Sequence, residues 1–94
     1  MILFASEALS DFERVRSFLE AKNPDAAARA IGAIWRALER VEHFPEIGQP
    51  TGNRDIRQIR VRFGRRGYVV RYRIRPSDGA IFVTRIWHGR EARR

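Results

Sequence analysis

The chain has no cysteine, so neither disulfide bonds nor thiolate metal ligands can hold its fold or take part in its chemistry. It has only two histidines, His43 and His88, which is too few for the usual structural zinc site. We therefore expect no metal ion and no cofactor.

The sequence also lacks long apolar runs. No stretch approaches the roughly 20 residues that cross a bilayer. The first residues, MILFASEALSDF, have no basic leader and reach acids at Glu7 and Asp11, unlike a secretory signal. We expect no membrane association and a cytoplasmic location. With 94 residues, of which 44% are hydrophobic, the chain is expected to form one domain, residues 1–94, around one modest core.

Acidic residues are scarce in the second half of the chain. Residues 1–46 carry six basic and eight acidic side chains, whereas residues 47–94 carry thirteen arginines and three acids. The net charge of +8 is therefore concentrated after residue 46. A field of this kind attracts an anionic partner, either nucleic acid or an acidic protein. A GC-rich genome would also favour arginine over lysine, but it would not produce this asymmetry.

Apolar spacing in the first half predicts one strand and two helices. Residues 2–4 form a short apolar run, and Ser6 is the expected cap of a helix from Glu7 to about Ala21. Asn23 is the expected cap of a second helix that ends near residue 42, with Pro24 in its first turn. The apolar stripes of the two helices are Ala8, Phe12, Val15 and Leu19, and Ala27, Ile31, Ile34, Leu38 and Val41.

The second half has the period-two alternation of β-strands. A turn-rich loop at 44–53 precedes it, and the segments GRRG (64–67) and PSDG (76–79) predict further turns. The last strand, 80–88, is apolar on both faces and should lie inside the sheet. We predict an α+β fold of order β-α-α-β-β-β, with an antiparallel helical hairpin on one face of a small, mostly antiparallel four-stranded sheet. The core-facing strand residues would be Ile59, Val61, Phe63, Tyr68, Val70, Tyr72 and Ile74.

The opposite sheet face would carry Arg60, Arg62, Arg71 and Arg73. Like charges on neighbouring strands are unfavourable unless an anion or an acid joins them, and guanidinium groups bind phosphate or carboxylate in a bidentate manner. The alternative is that arginines protect exposed strands and maintain solubility. No aromatic residue was expected among these arginines, which weakens the case for single-stranded RNA stacking on this face.

A second cluster is the segment RIWHGREARR, residues 85–94. His88 beside several arginines could transfer a proton while guanidinium groups stabilise a phosphoryl transition state. The alternative is that a lone histidine at a strand end packs or caps. We expect His43, at a helix end, to be structural. The acids of the first helix are expected to form a solvated face; they are Glu7, Asp11, Glu13 and Glu20.

Several segments together resemble the ParE/RelE superfamily of toxins from bacterial type II toxin–antitoxin systems. They are NPDAAAR, VEHFPEIGQP, RQIRV with GYVVRYRI, and IFVTRIWHGRE, and the similarity covers about residues 5–91. The resemblance implies a toxin neutralised by a small ParD-like antitoxin, whose acidic C-terminal segment wraps the toxin in a hetero-oligomer. It also implies that operator DNA is contacted only through the antitoxin.

The superfamily has two activities. Its RelE-like branch cuts mRNA on the ribosome without a metal, whereas its ParE-like (plasmid stabilisation) branch poisons DNA gyrase. The nuclease branch commonly has a basic residue where this chain has Val69, and a tyrosine near its C-terminus, where this chain has no aromatic beyond Trp87. The resemblance therefore favours a gyrase poison without catalytic residues.

The alternative is a ribosome-dependent mRNA endoribonuclease using His88, Arg90, Arg60 and Arg62, and a third reading is an inactive binding module of the same fold. The basic surface expected to bind antitoxin or target comprises Arg60, Arg62, Arg71, Arg73, Arg85, Trp87, His88 and Arg90.

Overall fold

The computed structural model describes residues 1–53 and 55–89. Its elements follow the predicted order, with one additional short strand and a 3₁₀ turn at Pro45–Ile47. In chain order the elements are β1 (Ile2–Phe4), α1 (Ser6–Lys22), α2 (Pro24–His43), β2 (Gln49–Pro50), β3 (Ile56–Val61), β4 (Tyr68–Ile74) and β5 (Ile81–His88).

The two helices begin in different ways. Asn23 caps α2 as predicted, because its Oδ1 accepts the N–H groups of Asp25 at 3.0 Å and Ala26 at 3.2 Å. The prediction that Ser6 caps α1 is wrong, since Ser6 is already the first helical residue. Ala5 precedes it and donates its N–H to the carbonyl of Val83 at 2.9 Å, which extends the pairing of β1 to the edge of the helix.

The sheet has the strand order β1-β5-β4-β3-β2. β1 pairs with β5 in parallel, and every other pair is antiparallel, so β5 lies inside the sheet as predicted. The sheet has five strands and not the four expected. The fifth is β2, where Gln49 and Pro50 pair with β3 within the predicted loop. Proline is tolerated there because β2 lies at the sheet edge.

Both helices pack on one face of the sheet and enclose the core. The predicted alternation of β3 and β4 is confirmed for the most buried residues. In β5 the pairing shifts: Arg71 lies opposite Arg85, but Tyr72 lies opposite Val83. Thr84 is the extra residue, and its hydroxyl donates to the carbonyl of Arg71 at 3.2 Å. The main buried side chains are Ala8, Val15, Ile34, Leu38, Val61, Tyr68, Val70, Tyr72, Val83 and Ile86.

Tyr72 fixes the loop after α2. Its hydroxyl donates to the carbonyl of Pro45 at 2.6 Å and accepts the N–H of Gly48 at 3.0 Å. A Cβ on Gly48 would lie 2.5 Å from this hydroxyl, so the close approach requires glycine. Burial raises the pKa of Tyr72, and the hydroxyl therefore remains protonated and able to donate.

Asp11 does not lie on a solvated face, which corrects the expectation for this acid. Its side chain is buried, with the residue 4% exposed. Its carboxylate accepts the N–H of Ile86 at 2.8 Å, Arg85 Nε at 2.8 Å and Arg14 Nη2 at 3.3 Å. β1 ends at Phe4, opposite Val83, so it does not extend far enough to pair with Ile86 on β5. The Asp11 carboxylate on α1 accepts the N–H of Ile86 instead.

Candidate functional site

The sheet face away from the helices gathers most of the predicted basic residues. Strand pairing places Arg60 opposite Val69, and it places Arg71 opposite both Gln58 and Arg85. Residues opposite each other share a face, and alternation along β4 puts Val69 and Arg71 on the same one. We call this surface the arginine face. Its members are Ile56, Gln58, Arg60, Val69, Arg71, Arg73, Phe82, Arg85 and Trp87.

Two arginines of this face have partners within the protein. The guanidinium carbon of Arg71 lies 4.9 Å from the centroid of the Trp87 ring, and its Nη2 donates to Gln58 Oε1 at 3.2 Å. Arg85 is directly opposite Arg71 in the pairing, but its guanidinium reaches past the edge of β5 that β1 leaves uncovered to Asp11 on α1, 2.8 Å away. These contacts offset the repulsion between two like charges on neighbouring strands.

The arginine face carries Trp87, which was part of the predicted basic surface, although β3 and β4 were expected to place no aromatic residue among their arginines. Trp87 lies beside Val69, and both residues are buried. Because Arg71 stacks over the indole ring, Trp87 does not present an open platform on which a base could stack. Strand pairing also places Phe82 opposite Arg73 on this face, so the expectation that these arginines have no aromatic neighbours is wrong, although the Trp87 ring itself is covered.

The other predicted arginines are exposed. Arg60 and Arg73 project from β3 and β4, and Arg62 lies in the connection between these strands. Within residues 1–53 and 55–89, none of the three forms an ion pair. Arg90, the remaining predicted arginine, lies outside the described residues. The exposed charge of the predicted set thus comes from Arg60 and Arg73 on the arginine face and from Arg62 in the connection beside it.

A pocket of about 560 Å³ lies on the helix side of the sheet, between α1 and the connection from β3 to β4. We call it the helix–turn pocket. Its apolar walls are Val15, Phe18 and Tyr68. Basic side chains surround them, namely Arg14, Arg65, Arg66 and His88.

The predicted GRRG turn places two of these arginines. Gly64 and Gly67 have φ values of 62° and 64°, which glycine adopts without strain. The N–H of Gly67 donates to the carbonyl of Phe63 at 2.8 Å, and the N–H of Gly89 donates to the carbonyl of Gly67 at 2.9 Å. These bonds close the turn and tie it to the end of β5, beside the pocket.

His88 belongs to the pocket and not to the arginine face. It pairs with Tyr68, whose side chain lies in the core, and the two rings are 5.3 Å apart in an edge-on arrangement. Arg60 pairs with Val69 and points to the opposite side of the sheet. The structure therefore places His88 and Arg60, two residues of the set proposed for a nuclease, on opposite sides of the sheet.

The residues that surround His88 were not predicted. Arg65 and Arg66 appear among the predictions only within the GRRG turn, and no role was predicted for Arg14 or Phe18. The one feature of the sequence that could have indicated this pocket is the pair of arginines inside GRRG, because a turn on a rigid scaffold holds its side chains in a fixed position.

Two further findings concern metal binding and membrane-spanning helices. Among the described residues, no group of three histidine, aspartate or glutamate side chains is placed to hold a metal ion. No helix in that part of the chain is long and apolar enough to span a membrane.

Residues 2–93 match the family model described as the ParE toxin of the type II toxin–antitoxin system parDE. The chain belongs to the ParE toxin family. The ParE/RelE superfamily predicted from the sequence is thereby confirmed, and the chain is a toxin of a type II toxin–antitoxin system.

The curated relatives of this ParE-family toxin are named RelE, and solved structures with the same fold carry RelE and ParE names. Toxin RelE1 of Caulobacter vibrioides is 38% identical over 92 residues, which cover 98% of this chain and 96% of that protein. The fold is shared with the toxin in the intact E. coli RelBE toxin–antitoxin complex, with a TM-score of 0.70, 20% identity and coverage of 100% and 98%. It is also shared with the chromosomal ParDE system of P. aeruginosa, with a TM-score of 0.67, 17% identity and coverage of 93% and 92%.

This ParE-family toxin therefore has two separate basic surfaces. The arginine face is a sheet surface with exposed guanidinium groups, and the helix–turn pocket is a concave apolar site with a basic rim. A partner large enough to reach both would have to pass around the sheet, so the two surfaces can serve different partners.

Proposed function

We propose that this toxin arrests growth by binding and poisoning DNA gyrase in the cytoplasm. A small ParD-like antitoxin with an acidic C-terminal segment would neutralise it in a hetero-oligomer and would make the contacts with operator DNA. The observation that carries the proposal is the composition of the arginine face. Among its described members, the functional groups are guanidinium, amide and apolar.

Such groups bind anions but do not transfer protons near neutral pH. Arginine stays protonated in proteins, and an amide does not titrate. A metal-independent nuclease needs a group that can accept or donate a proton beside the scissile phosphate. The exposed Arg60, Arg62 and Arg73 favour instead a docking role, toward an acidic surface of gyrase or the phosphates of its bound DNA.

A second candidate is cleavage of mRNA on the ribosome. The observation in its favour is that His88 lines one pocket together with Arg14, Arg65 and Arg66. An imidazole surrounded by guanidinium groups could transfer a proton while the cations stabilise charge on phosphate. In this candidate the catalytic site would be the helix–turn pocket and would not include Arg60 and Arg62. The third candidate, an inactive binding module, predicts no growth arrest when the toxin is produced without antitoxin.

The test is a supercoiling assay with purified gyrase, relaxed plasmid and ATP. Wild-type toxin should inhibit supercoiling, and the double variant Arg60→Glu/Arg73→Glu should need at least about tenfold more protein, because two attractive charges become repulsive. The matched control is Arg29→Glu/Arg36→Glu on α2, which changes the net charge equally and should inhibit like the wild type.

A parallel arm follows mRNA on translating ribosomes. The gyrase proposal expects intact mRNA in this arm. Full gyrase activity together with mRNA cleavage that His88→Ala abolishes would overturn it in favour of the second candidate. The assignment to the toxin family would be unaffected by that result.

A further inference from the structure

The helix–turn pocket differs in chemistry from the arginine face, and the difference points to its occupant. We propose that the pocket is the docking site of the antitoxin's acidic segment, with one bulky apolar side chain of that segment held between Val15, Phe18 and Tyr68. Carboxylates flanking this anchor would pair with Arg65 and Arg66. The inference rests on the toxin–antitoxin function and names the surface through which the partner binds.

The apolar part of the argument concerns Phe18. This side chain is 61% exposed on α1, although it stands at the entrance to a pocket whose other walls, Val15 and Tyr68, are buried. The volume of about 560 Å³ lies within the range of specific ligand sites and is large enough for an aromatic or branched side chain. Covering Phe18 would remove apolar surface from water, which is the main favourable term in association.

The charge of the rim selects an acidic partner. Four basic side chains surround the pocket, and no acid lines it among the described residues. Arg65 and Arg66 are exposed at the tip of the turn and form no ion pair in that part of the chain. Guanidinium groups bind carboxylates in a bidentate manner, so acids beside an apolar anchor would satisfy both features at once.

A peptide fits the pocket better than a nucleic acid. The Tyr68 ring in the floor is buried, with His88 edge-on to it and Phe63 tilted against it at 6.1 Å. The exposed Phe18 ring has Lys22 Nζ 5.0 Å from its centroid. Nucleic acid needs cations along a track of phosphates and rings for its bases, whereas here the cations surround one apolar depression. A bound peptide would cover His88 and leave the arginine face open to another partner.

The experiment measures the dissociation constant between the toxin and the full-length antitoxin encoded beside its gene. Phe18→Ala should weaken binding roughly 10- to 30-fold, as truncation of an aromatic side chain at the centre of an interface does. Arg65→Ala/Arg66→Ala should weaken it about tenfold and reduce its dependence on salt. The control Arg29→Ala/Arg36→Ala on α2 should stay within twofold.

A competing pair of residues makes the test decisive. If Arg60→Ala/Arg73→Ala weakens binding tenfold while Phe18→Ala leaves it within twofold, the antitoxin docks on the arginine face and the proposal is wrong. If an eight-nucleotide oligo(dT) binds the free toxin and Phe18→Ala abolishes that binding, the pocket is a nucleic-acid site, which also overturns it.

The proposed function and the proposed docking site are tested by different measurements. Growth arrest by the same variants without antitoxin reports on the toxic activity, whereas the dissociation constants report on the pocket. Thermal melting of each variant checks folding, and Phe18→Ala should melt like the wild type because the side chain is mostly exposed.

Discussion

Replacing Asp11 with alanine should remove a large share of this protein's stability. The carboxylate accepts hydrogen bonds from Ile86, Arg85 and Arg14, and the residue is almost fully buried. Removing one partner of a buried ion pair costs roughly 3–5 kcal/mol, since the other partners lose their acceptor. Arg85 is 36% exposed, so water can reach its freed guanidinium, and we expect about 3 kcal/mol.

This loss is large compared with the protein's total free energy of unfolding. A folded domain is stable by roughly 0.05–0.15 kcal/mol per residue, and this chain of 94 residues should therefore unfold at a cost of about 5–14 kcal/mol. In a domain of this size each kcal/mol corresponds to roughly 4–8 °C in Tm, and Asp11→Ala should melt about 12–24 °C lower. Asp11→Asn keeps an acceptor for the N–H of Ile86 but loses the charge, so about half of the effect is expected.

Urea unfolding followed by circular dichroism gives the free energies. The control is Glu7→Ala, an exposed acid on the same helix, which should change stability by less than about 0.5 kcal/mol. If Asp11→Ala lies within 1 kcal/mol of the wild type, the carboxylate does not join α1 to β5 in the way described here.

The same group gives a pH dependence with a defined sign. Burial opposes ionisation of Asp11, but the hydrogen bonds from Arg85 and the N–H of Ile86 outweigh it, and the pKa lies below its ordinary value. The stabilisation is therefore complete above the unfolded pKa, near pH 4, and is lost as the pH falls through the folded pKa. The stability gap between wild type and Asp11→Asn should narrow below about pH 4, and a constant gap down to pH 2 would contradict this assignment.

Three further substitutions test how the fold positions its surfaces, each by urea unfolding. Tyr72→Phe should cost about 1–2 kcal/mol, because the carbonyl of Pro45 and the N–H of Gly48 lose their buried partner; no measurable loss would show that water replaces the hydroxyl. Gly67→Ala should cost at least about 2 kcal/mol, since its φ of 64° and its closeness to the backbone leave no room for a Cβ; a neutral effect would contradict the turn geometry. Asn23→Ala should cost about 1 kcal/mol and Asn23→Asp should restore most of it, whereas equal losses in both would exclude capping.

Local patterns predicted the fold well because each depends on neighbouring residues. Asn23 before Pro24 combines a preferred capping residue with a preferred first-turn residue, and alternation assigned Val61, Val70 and Tyr72 to the core. The strand β2 could not be predicted in this way, since two residues show no period and their pairing with β3 arises from the folded sheet.

The candidate sites were predicted less well because they depend on contacts between distant segments. Asp11 and Arg85 are 74 positions apart, so the helical pattern alone placed the acid on the solvent side. The helix–turn pocket likewise combines α1 with the turn at Arg65 and the end of β5. The predicted basic surface included both Trp87 and His88, whereas strand pairing places them on opposite faces of the sheet, and Arg71 covers the indole ring.

The most direct test of the gyrase proposal is the state of DNA in cells that produce the toxin without antitoxin. The account predicts that gyrase becomes covalently attached to broken plasmid DNA within minutes of induction, that Arg60→Glu/Arg73→Glu prevents this, and that Arg29→Glu/Arg36→Glu does not. Intact, normally supercoiled plasmid in growth-arrested cells, together with mRNA cut inside reading frames, would contradict it.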